Sequence, residues 1–498
     1  MDSAALCAGF DAIGIDTTGP PTVDAGAASC TPLPSPALCR LPVEVLIHLL
    51  SMLPVRDLLH MRRTSRLMND VSCHRSVWLS GLRDLISQFR LPLTTFSTNP
   101  YVTPTHTLEA IVERPLRVEC ALTTFDSPPS IRSSRLLGLS EGHERLVFIQ
   151  LIPGGRWAVA ANEAGLLSFW DLEPDCGGTE IMPIVTVQYP RGSVIEACTL
   201  EPDGKADGAV LSLSGQQTLE HLYFFDIYHL SLSSIPSLQK LGRIEGKTRM
   251  FYHALDGPAH LAAILSVNHL IIWDWKLDMW RGISNDILNL EWARSISISA
   301  VDREVSVLDS NGTIHSYPIP SLLPRSYSES PEIIEAVESA EWHTTSTVQI
   351  AGAYTSEQWR PADPGISSSP VLIYDYQPQF HLLASTRKDV PPMSFIDSAH
   401  REMFSLTITG MGAWFVTMWW YDGDLVAHFT RFPTYPLGAE HDQVTTLQGE
   451  TSRKVILSSD FGEKERDWVP EWVAHSFCPI SGRVCISMGN GTMRILEF

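Results

Sequence analysis

The 498-residue chain is poor in positive charge: 36 Lys and Arg stand against 56 Asp and Glu, a net charge of −20. Such a deficit argues against wholesale nucleic-acid binding, which needs a basic face. There is no Cys-x-x-Cys. The nine cysteines (7, 30, 39, 73, 120, 176, 198, 478 and 485) are scattered and odd in number, which makes neither a disulfide framework nor a zinc site. They fit a reducing compartment. Long apolar runs are missing too. The longest, Gly410–Trp420, has 11 residues, too few to span a bilayer. No Lys or Arg precedes Arg40, and Asp2 and Asp11 flank the only mildly apolar piece of the leader, so no secretory signal is expected. The chain reads as soluble, cytoplasmic or nuclear, with no membrane partner.

Catalytic signatures are also scarce. No His-Glu-x-x-His occurs, and spacing assembles no catalytic triad. Gly242-x-x-x-Gly246-Lys247-Thr248 falls one residue short of a phosphate loop and lacks a following helix. His48, His60 and His74 have no ligand spacing. No catalytic residue, cofactor or metal is therefore expected.

What is present begins at Leu41. The stretch LPVEVLIHLLSMLPVRDLLHMRRTSRLMNDVSCHRSVWLSGL covers residues 41–82. Pro42 suits the first turn of a helix, where a missing N–H costs nothing. The residues after it are apolar on nearly every face, interrupted by Glu44, His48 and Ser51. A surface helix of a monomer carries one apolar stripe, and about 40 residues are too few to bury more. Pro54 ends this helix, and Asp57 or Ser65 can cap the helices after it. Three short helices with surplus apolar surface describe a docking module. Residues 40–83 hold seven Arg (40, 56, 62, 63, 66, 75 and 83) against Glu44, Asp57 and Asp70, a surplus of four, so the rest of the chain carries −24. A basic module on an acidic body favours an acidic partner at that end.

The stretch resembles an F-box: LPxE, an apolar helix, LP-x-x-DLL-x-x-RR-x-SR, then Trp78, all in one register. Met61 and Met68 depart from the Leu or aromatic expected there, and Met adapts to irregular surfaces. The resemblance implies docking on the Skp-type adaptor of a cullin–RING ubiquitin ligase. It implies that Leu41, Pro42, Glu44, Leu46, Ile47, Leu49, Leu50, Leu53 and Leu58 face that adaptor or hold the small fold together. Sequence alone does not divide them between those jobs.

From about Ser133 the texture changes to short β-branched or aromatic runs between Gly, Pro, Asn and Asp turns, the pattern of antiparallel sheet. A phrase recurs: a turn, an apolar run, then an aromatic followed by Asp. It ends at Trp170-Asp171, Phe225-Asp226, Trp273-Asp274, Tyr317 without Asp, Tyr374-Asp375 and Tyr421-Asp422, and Phe498 closes the chain. Aromatics 170, 225, 273, 317 and 374 are 55, 48, 44 and 57 residues apart. That period, with one strand-end phrase per unit, points to four-stranded propeller blades. The phrase resembles degenerate WD repeats, with Gly142-His143 the one clean Gly-His pair. It is expected on each blade's third strand, with its Asp bonding turn N–H groups. Asn311-Gly312 and Asn490-Gly491 suit tight hairpins. A β-sandwich pair or an irregular β-domain is the alternative.

The expected organisation is α+β and multidomain. Residues 1–38, rich in Ala, Gly, Pro, Ser and Thr, form a disordered leader. Residues 39–85 form a three-helix F-box module, 86–132 a helical connector, and 133–498 an all-β propeller of about seven blades, with six as the alternative. The expected function is the substrate-recognition subunit of an SCF-type ubiquitin ligase. It would partner the Skp-type adaptor, the cullin through it, and a client of unknown identity. A non-ligase interaction scaffold is the alternative. Trp342, Trp359, Trp414 and Trp472 are aromatic candidates for the client surface, and core packing explains each equally well.

Overall fold

The computed structural model describes residues 37–325 and 474–498 apart from short stretches, the longest being 124–130, 174–181 and 285–292; between 326 and 473 it describes little beyond the strands. The chain divides into two compact units, Met1–Leu46 and Ile47–Phe498. A 3-10 turn at Ala37–Arg40 leads into helix α1 (Val43–Ser51), within which the division falls. Pro42 stands just ahead of the helix, and its carbonyl accepts from the N–H groups of Val45 (3.0 Å) and Leu46 (3.1 Å). A residue there gives a carbonyl and needs no N–H of its own, which proline satisfies.

In the second unit, α2 (Val55–Arg62) comes after Pro54, whose carbonyl accepts from Leu58 N–H at 2.9 Å. Asp57 lies in the first turn of α2 and is not its cap. Ser65 does cap: its Oγ accepts from Met68 N–H at 3.2 Å and starts α3 (Arg66–Ser72). Then come α4 (Arg75–Phe89) and α5 (Thr105–Thr123), with Pro115 inside α5. The expected three helices of 39–85 are thus four, because the Ser65 cap splits what periodicity joins and α4 runs on past Leu85. Trp78, Leu82, Met68, Leu58 and Leu108 are buried in the helical part.

The described strands fall into seven sheets. β1 (Ser133–Gly138) opens the series. The first sheet holds β2 (Leu146–Leu151), β3 (Trp157–Asn162), β4 (Leu166–Asp171) and β5 (Pro183–Gln188). The second holds β6 (Ser193–Pro202), β7 (Gly208–Gln217), β8 (Leu222–Ser231) and β9 (Ser237–Gly246). In the third are β10 (Met250–Asp256), β11 (Leu261–Ser266), β12 (His269–Asp274) and β13 (Met279–Ser284). β14 (Ala293–Ser299), β15 (Glu304–Asp309) and β16 (Thr313–Pro318) belong to the fourth; the short β17 (Leu323–Pro324) crosses back to pair with β13, and β18 (His343–Thr347) completes the fourth. The fifth has β19 (Gly352–Thr355), β20 (Val371–Tyr374), β21 (Gln379–Leu383) and β22 (Met393–Ile396). The sixth has β23 (Thr407–Met411), β24 (Trp414–Tyr421), β25 (Asp424–Arg431) and β27 (Ser452–Ile456); the short β26 (Leu447–Gln448), which precedes β27 in the chain, pairs parallel with β22 and belongs to the fifth. The seventh joins β28 (His475–Cys478), β29 (Arg483–Ser487) and β30 (Thr492–Glu497) to β1. The first strand of the β region therefore pairs with the last, Ser133 opposite Glu497 and Gly138 opposite Thr492.

The opening strands of neighbouring sheets pack side by side: β23 against β28, β28 against β2, β2 against β6, β6 against β10, β10 against β14 and β14 against β19. Apolar seams fill the space between sheets. Trp157, Leu167 and Phe169 of the first meet Leu211, Leu213 and Phe224 of the second. Phe225 and Ile227 of the second meet Ile264 and Trp273 of the third. Inner strands covered on both faces read as continuous apolar runs, as the fully buried Trp-Ala-Val-Ala-Ala-Asn of β3 does.

The recurrent phrase stands on the third strand in the first four sheets and on β30. Tyr374 and Tyr421 instead end β20 and β24, the second strands of their sheets. Second strands are buried like third ones, so composition does not separate them. Asp171 and Asp274 do begin turns: Asp171 Oδ1 accepts from Glu173 N–H at 3.0 Å, and Asp274 Oδ1 from Lys276 N–H at 3.0 Å and Leu277 N–H at 2.9 Å. Asp226 does not. β8 runs five residues past it, and its carboxylate is buried under Tyr189, Lys240 and Arg243. Gly242 lies within β9, where a Cβ would stand 2.7 Å from the Trp273 ring, so this glycine serves a close approach and not a phosphate.

Candidate functional site

The nine residues named from the F-box resemblance divide by burial. Leu46, Leu50 and Leu58 are interior. Ile47 and Leu53 are half-buried. Leu41, Pro42, Glu44 and Leu49 are exposed. Sequence reasoning passed over Val43, Val45 and Met52, which are also exposed, Met52 at 70%. The signal was present: Val45, Leu49 and Met52 recur at intervals of four and three, one stripe of a helix. Leu46 and Leu50 share a different stripe. Which stripe turns inward depends on packing, which spacing does not report.

Single exposed apolar residues are ordinary, but a run of them on one short helix is a surface that awaits cover. The helices after α1 are held firmly. The Arg62 guanidinium donates to Ser72 Oγ at 2.8 Å, lies 5.3 Å over the Trp78 ring and pairs with Glu109 of α5. Glu113, one turn further on, is 3.9 Å from Arg62. Burial, and then the neighbouring Glu109, push the Glu113 carboxyl above the usual range. Arg56 pairs with Glu119 at 2.5 Å, and Arg75 donates to the carbonyls of Tyr101 (2.7 Å) and Thr103. Three of the seven arginines thus serve internal contacts, so the basic surplus is only partly offered outward.

Residues 38–80 match the F-box-like family. The matched segment runs from the turn before α1 into α4 and contains every residue of the exposed stripe. Among curated proteins, none matches the chain.

The helices and loop that follow the F-box-like segment are joined to the sheets by packed side chains. Val118 and Leu122 of α5 enter the seam of Phe429, Val455, Phe477 and Phe498 between the sixth and seventh sheets. Leu85 and Leu91 enter that of Leu137, Ile149, Trp170 and Ile495 between the seventh and first. Thr95 Oγ donates to the Pro153 carbonyl in the β2–β3 turn at 3.1 Å.

Among the described residues no cluster of His, Cys, Asp and Glu could hold a metal ion, and no helix is long and apolar enough to cross a membrane. Gly138-Leu139-Ser140-Glu141-Gly142 spells a Gly-x-Ser-x-Gly pentad that sequence reasoning missed. That motif needs a strand-to-helix turn; here β1 ends on Gly138, the rest of the pentad lies outside the described residues, and the next described element is the strand β2 from Leu146. Trp342, Trp359 and Trp472 lie outside the described residues, as do the Asn311-Gly312 pair and Asn490. Trp414 opens β24, and its side chain is outside them too.

Proposed function

We propose that the chain is the substrate-recognition subunit of an SCF-type ubiquitin ligase. The exposed stripe of α1, inside a segment that matches the F-box-like family, carries this reading. Leu41, Pro42, Glu44 and Leu49, joined by Val45 and Met52, face the Skp-type adaptor. Leu46, Leu50 and Leu58 hold the helices, and Ile47 and Leu53 lie between the two roles. The leader is 1–38, the F-box 39–85, the connector 86–132 and the sheet region 133–498.

The seven sheets form a seven-bladed propeller closed by the β1–β30 pairing. Five four-stranded sheets and two that add a short fifth strand, opening strands packed side by side and the first strand paired to the last support it. In an antiparallel sheet, successive turns alternate between its two ends. The connector contacts the β2–β3 turn, so the client occupies the other end, where the turns Glu163–Gly165 and Thr218–His221 lie. The chain performs no bond chemistry: it holds a client near a ubiquitin-charged enzyme, and its contribution is proximity. It acts in the cytoplasm or nucleus.

Tagged full-length chain should co-purify with both the Skp-type adaptor and a cullin. Recovery of the adaptor with no cullin would favour the second reading, an interaction scaffold outside any ligase. Recovery of neither would end the proposal.

A further inference from the structure

β10 packs between the second and fourth sheets, and its side chains alternate between them. Tyr252 and Ala254 join Ile296 and Ile298 of the fourth sheet. Met250 and Leu255 join Phe225 and Ile227 of the second. His253 shares the second-sheet side: its ring meets the edge of Phe225 at 5.1 Å and 65°. The imidazole is buried, and neither Nδ1 nor Nε2 has a hydrogen-bond partner among the described residues. On the strands either side, Ser214 Oγ of β7 and Ser266 Oγ of β11 are buried without partners as well. A neutral imidazole offers one donor and one acceptor; with neither used, the site tolerates the ring only while it is uncharged.

We propose that His253 makes the seam between the second and third sheets a proton-sensitive joint: protonation of the buried imidazole parts the two sheets. Among the described residues no opposite charge acts on the imidazole; burial alone perturbs it. On β6, Ile195, Cys198 and Leu200 pack with the first sheet, which leaves Glu196 and Glu201 toward the third. Glu196 is paired with Arg249 at 3.1 Å at the head of β10, and Glu201 is buried near the far end of β6. On β8, Asp226 is bound by Arg243 and Tyr189, away from His253. β7 and β11 carry no charged residue. Asp256, at the end of β10, accepts from the N–H groups of Ala259 and Ala300. The side chain of Arg294 on β14 is outside the described residues.

Burial lowers the imidazole to about 4 from 6.5. A histidine depressed in the folded state contributes its stability above the unfolded value of 6.5 and loses it as pH falls from 6.5 toward 4. Hydrogen exchange on the full chain, corrected for intrinsic rates, tests this. Peptides of β7–β8 and β10–β12 should open about 20-fold more at pH 5 than at pH 7, from proton linkage. Peptides of β3–β4 should change little. His253→Phe should abolish the rise, and His253→Leu serves where the larger ring disturbs packing. An unchanged wild-type seam, an equal rise in every sheet, or the same rise in a folded variant would overturn the proposal.

Discussion

The Thr95 hydroxyl, on the stretch between α4 and α5, donates to the carbonyl of Pro153 in the β2–β3 turn at 3.1 Å. The next residue, Gly154, has φ +94°, and a Cβ built on it would stand 1.8 Å from Thr95 Cγ2. The turn is shaped to receive the connector, and only glycine allows it. Gly154→Ala should therefore lower stability by about 1–3 kcal/mol, through backbone strain and the clash together. Adding Thr95→Ser removes Cγ2 and should recover part of the steric loss, since Cβ at 2.9 Å and Oγ at 3.0 Å stay close and the strain remains. Thermal unfolding of the wild type, Gly154→Ala, Thr95→Ser and the double variant gives both quantities. Equal losses in Gly154→Ala and the double variant would show that Thr95 does not press on this turn.

Arg62, on α2, reaches α3, α4 and α5 through Ser72, Trp78 and Glu109. Arg62→Ala should cost about 3 kcal/mol, because it uncovers the indole and leaves two adjoining carboxylates without their cation. Arg62→Lys should recover little, since an ammonium gives neither the planar stack nor the forked contacts. A urea titration followed by circular dichroism at helix wavelengths would register the loss.

Asp226 is 0% exposed and accepts from Tyr189 Oη at 2.6 Å, Arg243 at 2.6 and 2.9 Å, and Lys240 at 2.8 Å. Asp226→Leu leaves two cations facing an apolar side chain and should cost about 3–5 kcal/mol. Tyr189→Phe removes one donor and should cost about 1 kcal/mol. Thermal melts that rank the two in the opposite order would mean the network does not hold the first and second sheets together.

Ser65 caps α3 with its own side chain. Ser65→Ala should destabilise by about 1 kcal/mol, and Ser65→Asp should restore most of it. Chemical denaturation midpoints for the pair are sufficient.

The legible parts of the chain were those governed by local chemistry. Pro42, Pro54 and Ser65 punctuate helices through their own missing N–H groups or hydroxyl, so sequence finds them. The change to short apolar runs at Ser133 coincides with the first strand because alternation is local as well. What sequence reported poorly depends on neighbours distant in the chain. Leu49 and Leu50 are adjacent and chemically identical, yet one is exposed and one is interior. Phe225-Asp226 has the spelling of Trp170-Asp171, but Tyr189 and Arg243 pull its carboxylate into a buried network. Tyr374 and Tyr421 close second strands, since any strand paired on both edges favours the same residues.

The most direct measurement is the affinity of purified full-length chain for a purified Skp-type adaptor, by calorimetry, with Leu49→Lys/Met52→Lys beside the wild type. Both substitutions lie on the exposed stripe, Leu49 on α1 and Met52 in the turn just after it, so the melting temperature should hardly move. Leu50→Ala, which removes interior volume, serves as the folding control and should lower it, by about 2–5 kcal/mol in stability. If the stripe of α1 is the adaptor face, the double variant loses binding by at least about tenfold, from two charges placed in an apolar contact. Wild-type affinity in a folded double variant would contradict it.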